Sequence, residues 1–138
     1  MTATVEARAI LFAALELHPA IGDGRAHRYV PRQIATPAVW VGDALMFPRT
    51  VDGFAELVIQ LEVVAVVDGD DTAARQALDE LGDAVVDAAL GAGFALANRR
   101  PSTLDVGGPT LRAVTAFVEY PVHAFTLCPT TPIGATVE

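Results

Sequence analysis

Few residues in this chain are of types that do chemistry, and their spacing decides what they can do. The three histidines, His18, His27 and His123, have no second His or Cys at ligand spacing. His18 falls at the end of an apolar, helix-like run, where a cation or a cap is favoured. His27 stands between Arg25 and Arg28, and His123 at the end of a strand-like run. The single cysteine, Cys128, lies between Leu127 and Pro129 with no neighbouring base, so nothing activates its thiolate. One cysteine also excludes an internal disulfide framework and a multi-cysteine zinc site. Asp68, Asp70 and Asp71 suggest calcium by type, but the loop spacing of an EF-hand is missing and a turn into a helix accounts for them. Gly22-Asp23-Gly24 and Gly107-Gly108 lack the strand-to-helix context and the lysine of a phosphate loop. The sequence therefore predicts no catalytic residue, no metal site and no cofactor, and the reading is of a protein that is not an enzyme.

Charge is the more informative property. The 138 residues hold seventeen acidic and nine basic groups, a formal charge of -8, and all nine basic residues are arginine. That balance argues against binding nucleic acid by wrapping phosphates. Arg25, Arg28 and Arg32 make the segment after the first helical run locally basic, and Arg99 and Arg100 form a second basic spot after the second. Asp79, Glu80, Asp83 and Asp87 lie on the second helical run itself. Separate patches of opposite sign suit head-to-tail contact between copies.

The elements that must position these groups follow from periodicity. Residues 5–17 predict an amphipathic helix with a stripe of Val5, Ala9, Phe12 and Leu15, Glu6 and Arg8 off the stripe, Thr4 as cap and His18-Pro19 as terminator. Glu6 before the apolar run and Glu16 after it favour a folded helix over a cleaved leader. An irregular stretch runs to Thr36, and 37–42 (PAVWVG) is a short strand. Residues 43–53 read as a long connection, in which Leu45, Met46, Phe47 and Pro48 would be exposed. Residues 54–67 alternate over a full strand, with Val58, Val64 and Val66 on the nominally polar side. A helix over 72–90 and a hairpin of 102–106 with 110–122 across Gly107-Gly108-Pro109 follow.

The expectation is one α+β domain over residues 1–126, a mainly antiparallel sheet flanked by two helices with a long protruding strand or loop, and an extended C-terminal tail over 127–138. The mean hydropathy of +0.41 is high for a chain whose apolar runs are all too short to cross a bilayer. Alanine supplies part of it; the rest sits in the 43–53 segment, the long strand and the tail, where neighbouring subunits would cover it.

In layout the sequence resembles the tail terminator proteins of long-tailed, siphovirus-type bacteriophages. The resemblance rests on the N-terminal helix, the PAVWVG strand, the long strand FAELVIQLEVVAVV, the helix ARQALDELGDAVVDAAL, the GGP hairpin and the strand LRAVTAFVEYPV. It covers most of the chain, from about Val5 to Val122. The lysine-free, arginine- and alanine-rich composition also resembles proteins of GC-rich actinobacterial phages. The resemblance implies a virion protein, assembled in the host cytoplasm and located at the tail neck. It would form a ring of identical subunits, usually six, that caps the major tail tube protein and stops tube polymerisation. The same ring would meet the head-tail connector or stopper protein and pass DNA through its lumen. Arg25, Arg28, Arg32, Leu45, Met46, Phe47, Arg99 and Arg100 are then candidates for subunit or partner contact. Asp79, Glu80, Asp83 and Asp87 are candidates for a lumen or inter-subunit face. Another neck component, such as a head-closure or connector-completion protein, is the alternative; a small acidic enzyme or ligand-binding domain lies outside that class.

Overall fold

Thr2 and Asp71 set the starts of the two helices. In a computed structural model of the chain, which describes residues 2–105 and 110–122, the Thr2 hydroxyl accepts from the Val5 amide at 3.2 Å and begins α1, Ala3–Leu17. The Asp71 carboxylate accepts from the Ala74 amide at 2.8 Å and begins α2, Thr72–Gly91. Both satisfy an amide that the first helical turn leaves without a partner. The cap of α1 is therefore Thr2, not Thr4. At the far end of α2 the amides of Gly93 and Phe94 reach back to the carbonyls of Leu90 and Ala89 at 3.1 and 2.9 Å. Gly93 supplies the positive φ of 94° that this helix stop requires.

The strands are β1 (Ala26–His27), β2 (Ala38–Val51), β3 (Phe54–Val67), β4 (Ala95–Asp105) and β5 (Thr110–Pro121). They form one five-stranded sheet in the order β1-β2-β3-β5-β4, antiparallel except for the short β1–β2 pair. The protein is thus α+β, with a mixed, mostly antiparallel sheet and two helices.

Both helices pack on the same sheet face. Ala3, Ala7, Leu11 and Leu15 of α1 and Leu81, Ala84, Val85, Ala88 and Ala89 of α2 join Val39, Val41, Ile59, Leu61, Val63, Ala65 and Val118 in the main core. The opposite face holds a smaller cluster of Ala38, Trp40, Val64, Val66 and Ala113, flanked by Ile34 and Leu104. This corrects one expectation: Val58, Val64 and Val66 are buried within the chain itself. Those three valines need no partner to cover them.

Two further expectations change. Residues 43–51 are strand, not a long connection, so Leu45, Met46 and Phe47 lie on β2 rather than in a loop. A turn at Asp52-Gly53 with φ of 51° and 81° reverses the chain into β3, the geometry of a two-residue hairpin turn. Pro48 is tolerated because β1 pairs only with Val39 and Trp40. Beyond that point β2 is an edge strand among the described residues, and a missing N–H there breaks no ladder. In β4 the strand begins at Ala95, well before Ser102, which places Arg99 and Arg100 inside it. The 127–138 tail, the Gly107-Gly108-Pro109 turn, His123 and Cys128 lie outside the described residues.

Candidate functional site

Arg8 is the residue that sequence periodicity most misjudges. Read as off the apolar stripe, it is only 8% exposed. Its guanidinium donates to the carbonyls of Arg28 at 3.0 Å, Val41 at 2.8 Å and Gly42 at 2.8 Å. The Val41 and Gly42 carbonyls lie where β2 carries an irregularity between Val41 and Ala44, and such bulges turn backbone groups away from the ladder. A Cβ at Gly42 would come within 2.5 Å of the Glu62 carboxylate, so a larger residue there would displace that flexible side chain. Hydropathy gives no sign of a buried arginine that is satisfied by backbone, so no simple pattern in the sequence reveals it.

The basic segment around β1 keeps its charge. Arg25, Arg28 and Arg32 are exposed, and none forms an ion pair among the described residues, in contrast to Arg49, Arg75, Arg99 and Arg112. Arg28 rests its guanidinium over the Phe12 ring at 5.0 Å, a cation–π contact that leaves the charge available.

Arg99 and Arg100 point to opposite sides of β4. Arg99 turns to the helix layer, donating to Asp83 Oδ1 at 2.7 Å and to the Asp79 carbonyl at 3.3 Å. Arg100 lies over Phe117 at 5.2 Å on the other face. They are not one basic spot. The acidic group on α2 is divided in the same way. Asp83 is committed to Arg99, and Asp87 accepts from His18 Nε2 at 2.8 Å. His18 Nδ1 accepts from the Ala20 amide at 3.1 Å, so the ring holds its proton on Nε2 in this arrangement. Glu80 accepts from Gln76 at 3.5 Å, and Asp79 remains exposed at the β4 side of the helix.

The hairpin of β2 and β3 carries the exposed apolar side chains. Leu45 is 58% and Phe54 77% exposed, and Met46 and Leu57 are also exposed; Phe47 is half-buried. β5 accompanies β3 only as far as the Pro121–Val58 pair. Two residue pairs short of the turn, Arg49 donates to Glu56 at 3.0 Å and to Glu119 at 2.7 Å, tying β2, β3 and β5 together. Both carboxylates raise the Arg49 pKa above its usual value, Glu56 first. Sequence reading missed this group. The signal for it was Asp52-Gly53: with the turn placed there, Arg49 and Glu56 fall opposite each other.

Among the described residues no three His, Cys, Asp or Glu side chains group as metal ligands, and no helix is long and apolar enough to cross a membrane. The remaining depressions are shallow. One is lined by His18, Ala20, Glu80, Asp83, Ala84 and Asp87, another by Leu78, Asp79, Arg99, Arg100, Pro101 and Val114. No known protein family matches the chain, and no curated protein sequence is significantly similar to it.

Proposed function

We propose that the chain is a structural virion protein, a tail terminator. Its copies form a ring that caps the tail tube, stops its polymerisation and joins it to the head connector. The observation that carries this reading is the β2–β3 hairpin, whose apolar side chains Phe54 and Leu57 are exposed where it extends past β5, and Leu45 and Met46 on the edge strand behind them. Such side chains favour burial against another protein. The part that extends past β5, residues 48–51 paired with 54–57 and stiffened near the turn by Arg49, Glu56 and Glu119, is what reaches an adjoining ring. The charge of -8 per copy supports the same reading. A multiplied negative charge repels duplex DNA and lets it pass without adhering.

The test is a capping assay. Purified chain added to polymerising tail-tube protein should bind one tube end and arrest growth, giving tubes that no longer lengthen. Unchanged tube growth, together with binding to the portal-side connector alone, would assign the chain to another neck component.

A further inference from the structure

The segment that follows β1 reads Arg28-Tyr29-Val30-Pro31-Arg32, and its two central side chains, Tyr29 and Val30, are 57% and 59% exposed. This surface is held in place. The Arg8 guanidinium lies 4.5 Å from the centroid of the Tyr29 ring, and the same group donates to the Arg28 carbonyl, one of its three backbone partners. Arg8 therefore fixes both the backbone and the ring of a projecting knob. Preorganised aromatic side chains bordered by arginine are the composition that anchors protein interfaces, because little conformational entropy is lost on docking. Arg28 and Arg32 flank the knob with charges that no carboxylate among the described residues neutralises.

At the other edge of the sheet, α2 and β4 border a shallow groove. Leu78, Pro101 and Val114 supply its apolar surface, and the exposed Asp79 stands on its rim. Of the two arginines that also line it, Arg99 is spent on Asp83 and Arg100 leans on Phe117. The groove therefore offers an apolar floor with the Asp79 carboxylate, which enters no ion pair among the described residues, at its rim. Pro101 and the charges of β4 oppose addition of a further strand at this edge, so the groove itself is what β4 and α2 offer to a partner.

The strand order β1-β2-β3-β5-β4 places knob and groove at opposite edges of one subunit. They cannot meet within a chain, but they meet between successive copies. We infer that the Tyr29–Val30 knob of one copy seats in the α2–β4 groove of the next, with Arg28 and Arg32 toward Asp79. The contact is heterologous, so it propagates in one direction and closes into a ring or continues as a filament. It rests on the ring reading only for closure.

The experiment uses the full chain and measures mass by light scattering across a concentration series. Val30→Asp disables the knob and Asp79→Arg reverses the groove rim; both positions are exposed, and unchanged circular dichroism and melting confirm the fold. Each variant alone should associate roughly tenfold more weakly or worse than the unaltered protein. Mixed in equal amounts, each supplies what the other lacks, so a single contact forms and the product is a 1:1 heterodimer. A monomeric unaltered protein, variants that assemble normally, or a mixture that stays monomeric would each overturn the inference. Rings that persist in both variants would reject this contact and leave the ring reading standing. Open filaments lost in the variants would support the contact and reject the ring.

Discussion

Gly82 and Arg99 fit together across the junction of α2 and β4: a Cβ at position 82 would lie 2.5 Å from Nη2 of Arg99 and 3.1 Å from a methyl of Val114. The bare helix surface lets the guanidinium lie flat and reach both Asp83 and the Asp79 carbonyl. A glycine inside a helix costs about 1 kcal/mol relative to alanine, so its place here needs this reason. Gly82→Ala should change stability by less than about 1 kcal/mol, because gained propensity offsets a displaced flexible side chain. Gly82→Leu should cost about 1–3 kcal/mol through overpacking against Val114. Chemical denaturation of both variants checks the pair of values.

Replacing Arg8 removes a charge and strands three carbonyls. Arg8→Met should destabilise the fold by on the order of 3 kcal/mol, since buried acceptors lose charged donors. Arg8→Lys should recover only part of this, because an ammonium cannot reproduce the planar fork that spans Val41 and Gly42. Urea unfolding of the two variants measures the difference.

Asp70 gives a pH signature. Its carboxyl is held below the ordinary carboxylate range, chiefly by the Arg112 guanidinium and secondly by Arg75. A depressed folded-state pKa means that the unfolded chain binds protons first as acid is added. The stabilisation is therefore complete above the unfolded value and is lost as pH falls through the folded one. The melting-temperature gap between the unaltered protein and Asp70→Asn should stay constant above about pH 5 and close below about pH 4. The neighbouring cap behaves differently: Asp71→Ala should cost about 1 kcal/mol at neutral pH through loss of the bond to the Ala74 amide.

The hairpin prediction separates stability from function. Phe54→Ser and Leu45→Ser replace side chains that are largely in solvent, so stability should move by no more than about 0.5 kcal/mol. Capping of the tail tube should nevertheless be lost. Normal capping by the double variant would place the tube contact elsewhere.

The elements with unbroken periodicity were legible in the sequence. β3 begins and ends at Phe54 and Val67, as its alternation predicts, and α2 runs from Thr72 to within one residue of the expected end. In α1 the stripe is right at Leu15, which is buried, and at Phe12, which packs on the core, but Val5 is exposed while Ala3, Ala7 and Leu11 face the core. Alanine-rich helices allow this because several stripes have nearly equal hydropathy. The first part of β2 is legible as the PAVWVG strand, but residues 43–51 read as a loop because Asp43 and Pro48 oppose strand structure, and only their position at the edge of the sheet makes Pro48 acceptable. Of the candidate site residues, Arg99 and Asp83 had been assigned to surfaces of opposite kind, yet they form an ion pair within one chain. Charge runs in sequence do not reveal which charges are already neutralised; strand order does.

The central claim is that copies of this chain join head to tail into a closed ring. Its most direct test is the mass of the purified protein together with negative-stain images, taken with and without tail-tube protein. The account predicts rings with an open centre and a mass of about six chains. A protein that stays monomeric in both conditions would contradict it.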